Sequence, residues 1–163
     1  MRLHVSIAAL ILIALSLSAH AENAPNKVTS QLNAFIVSTD EKGVESFEQA
    51  KRAKPGDTIE YRIEHANNTK GALSSFIVLG PVPKGTSYVP ASASSILQAD
   101  LEVQVEKLGW NKPPVYRTEK DESGKDVKVE VPSSEYKAIR WLISEPVAVE
   151  KSTHNKYRVK VAQ

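Results

Sequence analysis

The chain predicts an all-β protein, an immunoglobulin-like antiparallel β-sandwich of about seven to nine strands. Three observations carry this. First, apolar and polar residues alternate in short runs. Ile59, Tyr61, Ile63 and His65 alternate with Glu60, Arg62 and Glu64. Leu101, Val103 and Val105 alternate with Glu102, Gln104 and Glu106, and Val127, Val129 and Val131 with Lys128 and Glu130. A period of two with one apolar face describes a half-buried strand. Second, turn signals recur roughly every ten residues, as in Pro55-Gly56-Asp57 and Pro81-Val82-Pro83-Lys84-Gly85. Third, no long segment carries a convincing helical period, and strands without helical crossovers pair antiparallel.

The elements follow in order. Residues 32–37 form a β-rich first strand, and Thr39-Asp40-Glu41-Lys42-Gly43 is a turn. Residues 44–54 read as a short edge strand plus loop, with a helical turn as the alternative. Residues 58–66 are the clearest strand, and Asn67-Asn68-Thr69-Lys70-Gly71 is a polar turn. The next strand covers 73–79, and its uninterrupted Phe76-Ile77-Val78-Leu79 predicts burial on more than one side. Two prolines end it. A short strand at 86–89 precedes a loop at 91–95. After the alternating strand at 101–106, residues 111–114 break the chain. Residues 115–117 form a short strand, and Glu119 to Asp126 is a charged turn. The aromatic and branched run at 136–143 and the alternating run at 157–161 complete the domain. Residues 32–37 and 157–161 are the expected sheet edges, and the lysines in and near them guard against indiscriminate pairing.

Ahead of this domain stands an export signal. Met1-Arg2 gives a positive start, residues 3–17 are almost wholly apolar, and Ser18-Ala19-His20-Ala21 supplies small residues at a cleavage site. The apolar run of roughly 15 residues is shorter than the ~20 of a spanning helix. The expected organisation is a cleavable signal at 1–21, a flexible lead-in at 22–31 and one domain at 32–163. No membrane insertion is expected after cleavage, and the product is periplasmic or secreted.

The sequence holds 21 Lys and Arg against 19 Asp and Glu. Only Arg2 lies in the signal, leaving a mature balance of 20 to 19. That near-neutral charge offers no field for nucleic acid. There is no cysteine, so disulfides, thiolate metal sites and thiol nucleophiles are excluded.

The segment Lys54-Pro55-Gly56-Asp57-Thr58-Ile59-Glu60-Tyr61-Arg62-Ile63 resembles the bacterial conserved-repeat domain, also called domain of unknown function eleven. The likeness continues through Asn67-Asn68, residues 75–78, Pro83-Lys84-Gly85-Thr86-Ser87-Tyr88-Val89 and Pro90-Ala91-Ser92-Ala93. Tyr136-Lys137-Ala138-Ile139-Arg140-Trp141 is similar to a terminal Arg-Trp strand of single-domain Gram-negative members. The resemblance is strong from about residue 53 to 93 and weak between 100 and 131. It implies an immunoglobulin-like sandwich in a cell-envelope protein, with no catalytic residues. Many members carry Asp where this chain has Gly80, and this chain has one copy rather than an array.

The candidate chemistry is sparse. His65 falls on an apolar register, where a hydrogen-bonded core histidine outweighs a metal ligand or pH-sensitive group. His154 reads as an exposed loop residue. Asp121-Glu122-Ser123-Gly124-Lys125-Asp126 lacks the ordered carboxylates of a calcium loop and reads as a hairpin tip. Asp57 reads as a stabiliser of its own turn. Asn67-Asn68-Thr69 matches a glycosylation acceptor, a pattern common by chance. No nucleophile elbow and no phosphate loop is present. A Lys–Asn isopeptide, known in surface domains of this architecture, lacks an identifiable acid. Trp141 reads as core. Trp110 and Tyr116 form a possible contact surface for sugar or protein, though packing under the loop is an equal alternative.

The expected function is therefore that of an exported, non-enzymatic envelope module, working by protein–protein contact with an envelope or surface protein. No cofactor is expected, and the isolated protein is expected to be a monomer. The alternative is a small carbohydrate- or ligand-binding module using its loop aromatics.

Overall fold

The computed structural model describes residues 27–163. The expected signal and residues 22–26 of the lead-in lie outside the described residues. Twelve strands follow one another: β1 (Val28–Thr39), β2 (Glu45–Gln49), β3 (Thr58–Asn67), β4 (Ile77–Pro81), β5 (Thr86–Tyr88), β6 (Ser94–Ser95), β7 (Ala99–Val105), β8 (Gly109–Asn111), β9 (Tyr116–Lys120), β10 (Asp126–Glu130), β11 (Tyr136–Ile143) and β12 (Ser152–Val161). A 3-10 turn, Ser133–Glu135, precedes β11. The chain is an all-β antiparallel sandwich. The expected seven to nine strands correspond to the nine of five residues or more; β5, β6 and β8 are the short additions.

One layer runs β2-β1-β3-β12-β5, with β6 also paired to β12, and the other runs β4-β11-β7-β8. β9 and β10 form a separate hairpin. The alternation sets which side chains meet between the layers. Ile59, Ile63, Tyr157 and Val159 of the first layer share one core with Val78, Val103, Ile139, Trp141 and Ile143 of the second.

Tyr157 is the centre of that core. It is fully buried, stacks on Tyr61 at 5.2 Å and meets Trp141 edge-on at 6.0 Å. Its hydroxyl donates to the Pro81 carbonyl at 2.6 Å, which gives the buried polar tip a partner. Gly80 makes this approach possible. A Cβ there would lie 2.8 Å from a Tyr157 ring carbon and 3.0 Å from Ile139 Cγ1. The close backbone approach, rather than a left-handed turn, requires glycine.

The two layers are offset. Tyr157 against Gly80 and Pro81 seats β4 over β12. Tyr88 stacked on Tyr136 at 6.0 Å seats the start of β11 against β5. Phe76, just before β4, lies against His65 of β3, so moving outward past β4 leads over β1, where the second layer has no strand among the described residues.

Local turns close the frame. In Pro55-Gly56-Asp57 the Asp57 carboxylate accepts the Lys54 amide at 2.7 Å, as expected of a turn-stabilising Asp. Gly56 adopts φ +84°, a left-handed conformation that glycine takes at little cost. Its amide donates to the Val161 carbonyl at 3.2 Å, and the Val161 amide returns a bond to Asp57 at 2.9 Å. The turn thus fastens the end of β12. Asn67 plays a similar part at the other end. Its side-chain amide donates to the carbonyls of Gly71, Val147 and Ala148, and its oxygen accepts the Thr69 amide and hydroxyl. Fully buried, it uses its glycosylation-acceptor nitrogen to join two loops.

Several expectations are corrected. β12 is an inner strand between β3 and β5, not an edge, and it begins at Ser152, so His154 lies on a strand. β1 begins at Val28, ahead of the expected domain start, because residues 28–31 pair with β3. Its later half is covered by β2, which is the edge. Phe76-Ile77-Val78-Leu79 is not buried on both sides: Ile77 and Leu79 are 55% and 56% exposed. β4 ends its sheet, and only one of its faces meets the other layer. The 91–95 loop contains the bridging pair of β6.

Candidate contact surfaces

The two aromatic candidates occupy different elements. Trp110 lies on β8, opposite Gln104 of β7. The Arg140 guanidinium covers its ring at 4.3 Å and also pairs with Glu102 at 2.6 Å. Tyr116 opens the β9–β10 hairpin, with the Lys128 ammonium 4.3 Å above its ring. Each ring is thus engaged by its own cation. The two rings lie on different strands and carry different cations.

The densest polar arrangement lies on the outer face of the first layer. Alternation places Glu60, Arg62 and Glu64 of β3 beside Arg158, Lys156 and His154 of β12. Glu60 is only 1% exposed. One of its oxygens accepts Arg62 Nε at 2.7 Å and the other accepts Arg158 Nε at 2.9 Å. Arg158 also grips Glu45 of β2 with two bonds of 2.6 Å. Arg62 sits 4.5 Å from the ring centroids of both Phe35 and Phe47.

The physical logic is compensation. A buried carboxylate is tolerated only when paired and hydrogen-bonded. Two guanidiniums satisfy Glu60, and the aromatic rings shield one of them. The hydrogen bonds from Arg158 hold the Glu45 carboxyl below its ordinary range. The same bonds hold the Arg158 guanidinium firmly charged. The cluster ties the edge strand β2 to the inner strand β12. The sequence marks Glu60 as an outward strand residue. Its burial follows only from the pairing of β3 with β12, which brings Arg158 opposite it.

Beside this cluster is a hollow of about 330 Å³, lined by Phe35, Arg62, Glu64, Ile96, His154 and Lys156 among others. Ile96 is 63% exposed on its rim. The hollow has apolar walls and mixed charge, so it sets no single ligand chemistry.

His65 faces inward, as its register requires. Its ring lies 6.2 Å from Phe76, and Thr153 is its direct cross-strand neighbour. Its Nδ1, the Thr153 hydroxyl and both amide atoms of Asn155 are buried without a hydrogen-bond partner. Burial lowers the His65 pKa from its ordinary value. This end of the core is polar, in contrast to the apolar centre around Tyr157.

The hairpin tip behaves locally. The Asp121 carboxylate accepts the Ser123 amide and hydroxyl and the Lys125 amide. These bonds, led by that from the Ser123 side chain, lower its pKa. Among the described residues, no group of three or more His, Cys, Asp or Glu could hold a metal ion. None of their helices is long and apolar enough to cross a membrane.

No family model and no curated protein matches the chain. Among solved structures, the fold is similar to part of a protein from Corynebacterium diphtheriae described as membrane anchored, with a TM-score of 0.45 and 12% identity. The alignment covers 82% of this chain, which spans only 28% of that protein's length. A likeness of this size bears on neither activity nor partner.

Proposed function

We propose that this is an exported, non-enzymatic immunoglobulin-like module of the bacterial envelope that works by protein–protein contact. Export rests on the positive start, apolar run and small-residue cleavage site of residues 1–21. The resemblance to the conserved-repeat domain supports the same setting. The observation that carries the contact reading is the margin along β4. Among the described residues this edge strand pairs only with β11, and it presents Ile77 and Leu79 at 55% and 56% exposure. An open edge beside large apolar side chains offers both backbone hydrogen bonds and apolar area to a partner.

The test is site-directed photo-cross-linking of the full chain in a Gram-negative host. A photoreactive residue is placed in turn at Ile77, Leu79, Ile96, Trp110 and Tyr116, followed by fractionation. The expected result is a mature chain beginning at Glu22 in the periplasm or medium, with discrete adducts from at least one surface position. A cytoplasmic chain with its leader intact, or no adduct at any position, would overturn the reading.

A further inference from the structure

We infer that the open margin between β4 and the overhanging inner face of β1 accepts an extended strand from a partner protein. The strand would carry apolar residues at alternate positions and a basic residue at its end near Pro81. This rests on the contact reading above and names the kind of partner it involves.

The backbone comes first. β11 pairs with β4 from Ala138↔Pro81 to Leu142↔Ile77. No strand pairs with its other edge among the described residues. A free strand edge is a row of alternating donors and acceptors, and only another extended backbone matches it in spacing.

The overhang supplies the side-chain surface. Because β4 passes over β12 and its leading residue Phe76 lies against His65 of β3, and Ile59 and Ile63 of β3 are already buried, a strand added to its free edge would lie over β1 and the flank of β3 beside it. The inward residues there are Tyr61, opposite Ala34, and Leu32, opposite Ile63, with Ile36 next along β1. Leu32 is on the inward register yet is 53% exposed. Ala34 and Tyr61 pack against the core only in part. An apolar row on the inside of a sandwich, left half-covered, calls for apolar side chains at every second position of the incoming strand. On the opposite face, Ile77 and Leu79 become its cross-strand neighbours, a placement that suits β-branched residues.

Charge fixes the orientation. Phe76, just before β4, lies against His65, while Gly80 lies at the level of Tyr157 and hence of Tyr61. Since His65 pairs with Ser30 and Tyr61 with Ala34, β4 runs along the overhang from the Ser30 level past Leu32 to Ala34, with its Pro81 end on the side of Ile36. Opposite Ile36 stands Glu48 of β2, on the same face. Glu48 is exposed and belongs to none of the ion pairs among the described residues. An arginine or lysine at that end of the strand would complement it.

A second copy of this chain fits less well. β4 has five residues, so a β4-to-β4 edge contact would extend only about 17 Å. Such a contact falls well short of the roughly 800 Å² per partner typical of stable interfaces. A separate strand seated in the margin is instead covered along its edge and on its inward side chains.

The test pans a phage-displayed library of random twelve-residue peptides against the folded chain, after depletion on the Leu32→Asp variant. Enriched peptides are then synthesised, with and without N-methylation of alternate amides. The expected peptides alternate apolar and other residues and end in Arg or Lys. Their binding should fall about tenfold or more with Leu32→Asp, and with N-methylation. Glu48→Lys should weaken only peptides with the basic end. Ile96→Asp, on the other face, is the equal-charge control and should leave binding unchanged, with melting temperatures confirming that each variant is folded. No enrichment, or peptides indifferent to Leu32→Asp and N-methylation, would overturn the inference. If photo-adducts formed at Ile96, Trp110 or Tyr116 at the same time, the contact reading would survive that failure.

Discussion

Two stretches of one inner sheet face show what the second layer does. Around Tyr157, apolar and aromatic side chains of β3 and β12 meet β4 and β11. Tyr157 and Val159 are 0% exposed there. Two strands away on β1, Leu32 has the same inward register but is 53% exposed. The alternation is equally clear in both places. What differs is whether a strand lies opposite. Burial in a sandwich is thus a property of layer overlap, and the offset of the layers leaves the centre sealed and the β1 margin open.

Substitutions should separate the two regions sharply. The largest effect is expected from Tyr157→Ala, which removes a ring packed on Tyr61 and Trp141. A loss of about 4 kcal/mol in denaturant unfolding is expected, and a loss below about 1 kcal/mol would mean that the ring is not central to the core. Gly80→Ala drives a methyl group into the Tyr157 ring and should cost about 2 kcal/mol. Recovery in a Gly80→Ala, Tyr157→Phe double variant would argue against a steric cause, since Phe keeps the ring in place.

Glu60→Gln keeps the shape but removes the charge shared by Arg62 and Arg158, and should cost about 1.5 kcal/mol. The two arginines are 42% and 22% exposed, so solvent screening limits the effect. An unchanged midpoint would show that the cluster is surface decoration. At the open margin, Leu32→Ser should change stability by no more than about 0.5 kcal/mol. A loss as large as that of Gly80→Ala would show that the overhang is covered in solution, and would erase the contrast.

The polar end of the core offers a pH test. Burial holds the His65 imidazole below its ordinary 6.5, so the unfolded chain binds the proton more readily. The stabilisation from the neutral ring is therefore complete above pH 6.5 and is lost as the pH falls through that value toward the folded pKa. Melting temperature should drop between about pH 7 and pH 5, with a shallower slope in His65→Phe. The facing groups are Ser30 and Thr153, opposite it on β1 and β12, and Phe76, none of which titrates there. Identical slopes in the two proteins would exclude His65 as the source.

Much of this arrangement was legible in the chain itself. Alternation in 58–66, 101–106 and 127–131 identified strands because a pleated strand turns successive side chains to opposite faces. Pro55-Gly56-Asp57 identified a turn because Gly56 takes a left-handed conformation that other residues resist. Trp141 was placed in the core by its strongly apolar strand and is 2% exposed. The candidate surface was less legible. Trp110 and Tyr116 were marked as aromatics beside loops, but the cations over them come from Arg140, thirty residues from Trp110, and from across the hairpin.

Partnership between distant segments was not written locally. The run at 152–161 looks like a charged edge, yet it pairs with 58–66 as an inner strand. Its Arg158 then acquires Glu60 as a buried partner. In the constant-type immunoglobulin arrangement the last two strands share a sheet, whereas β11 and β12 lie in different layers here. The sequence by itself determined the strands, their turns and which side chains share a face, because these follow from neighbouring residues and the geometry of one chain. The tertiary structure alone decided which faces were covered, since that depends on the lateral placement of one layer over another, set by contacts such as Gly80 against Tyr157 between residues far apart in the chain.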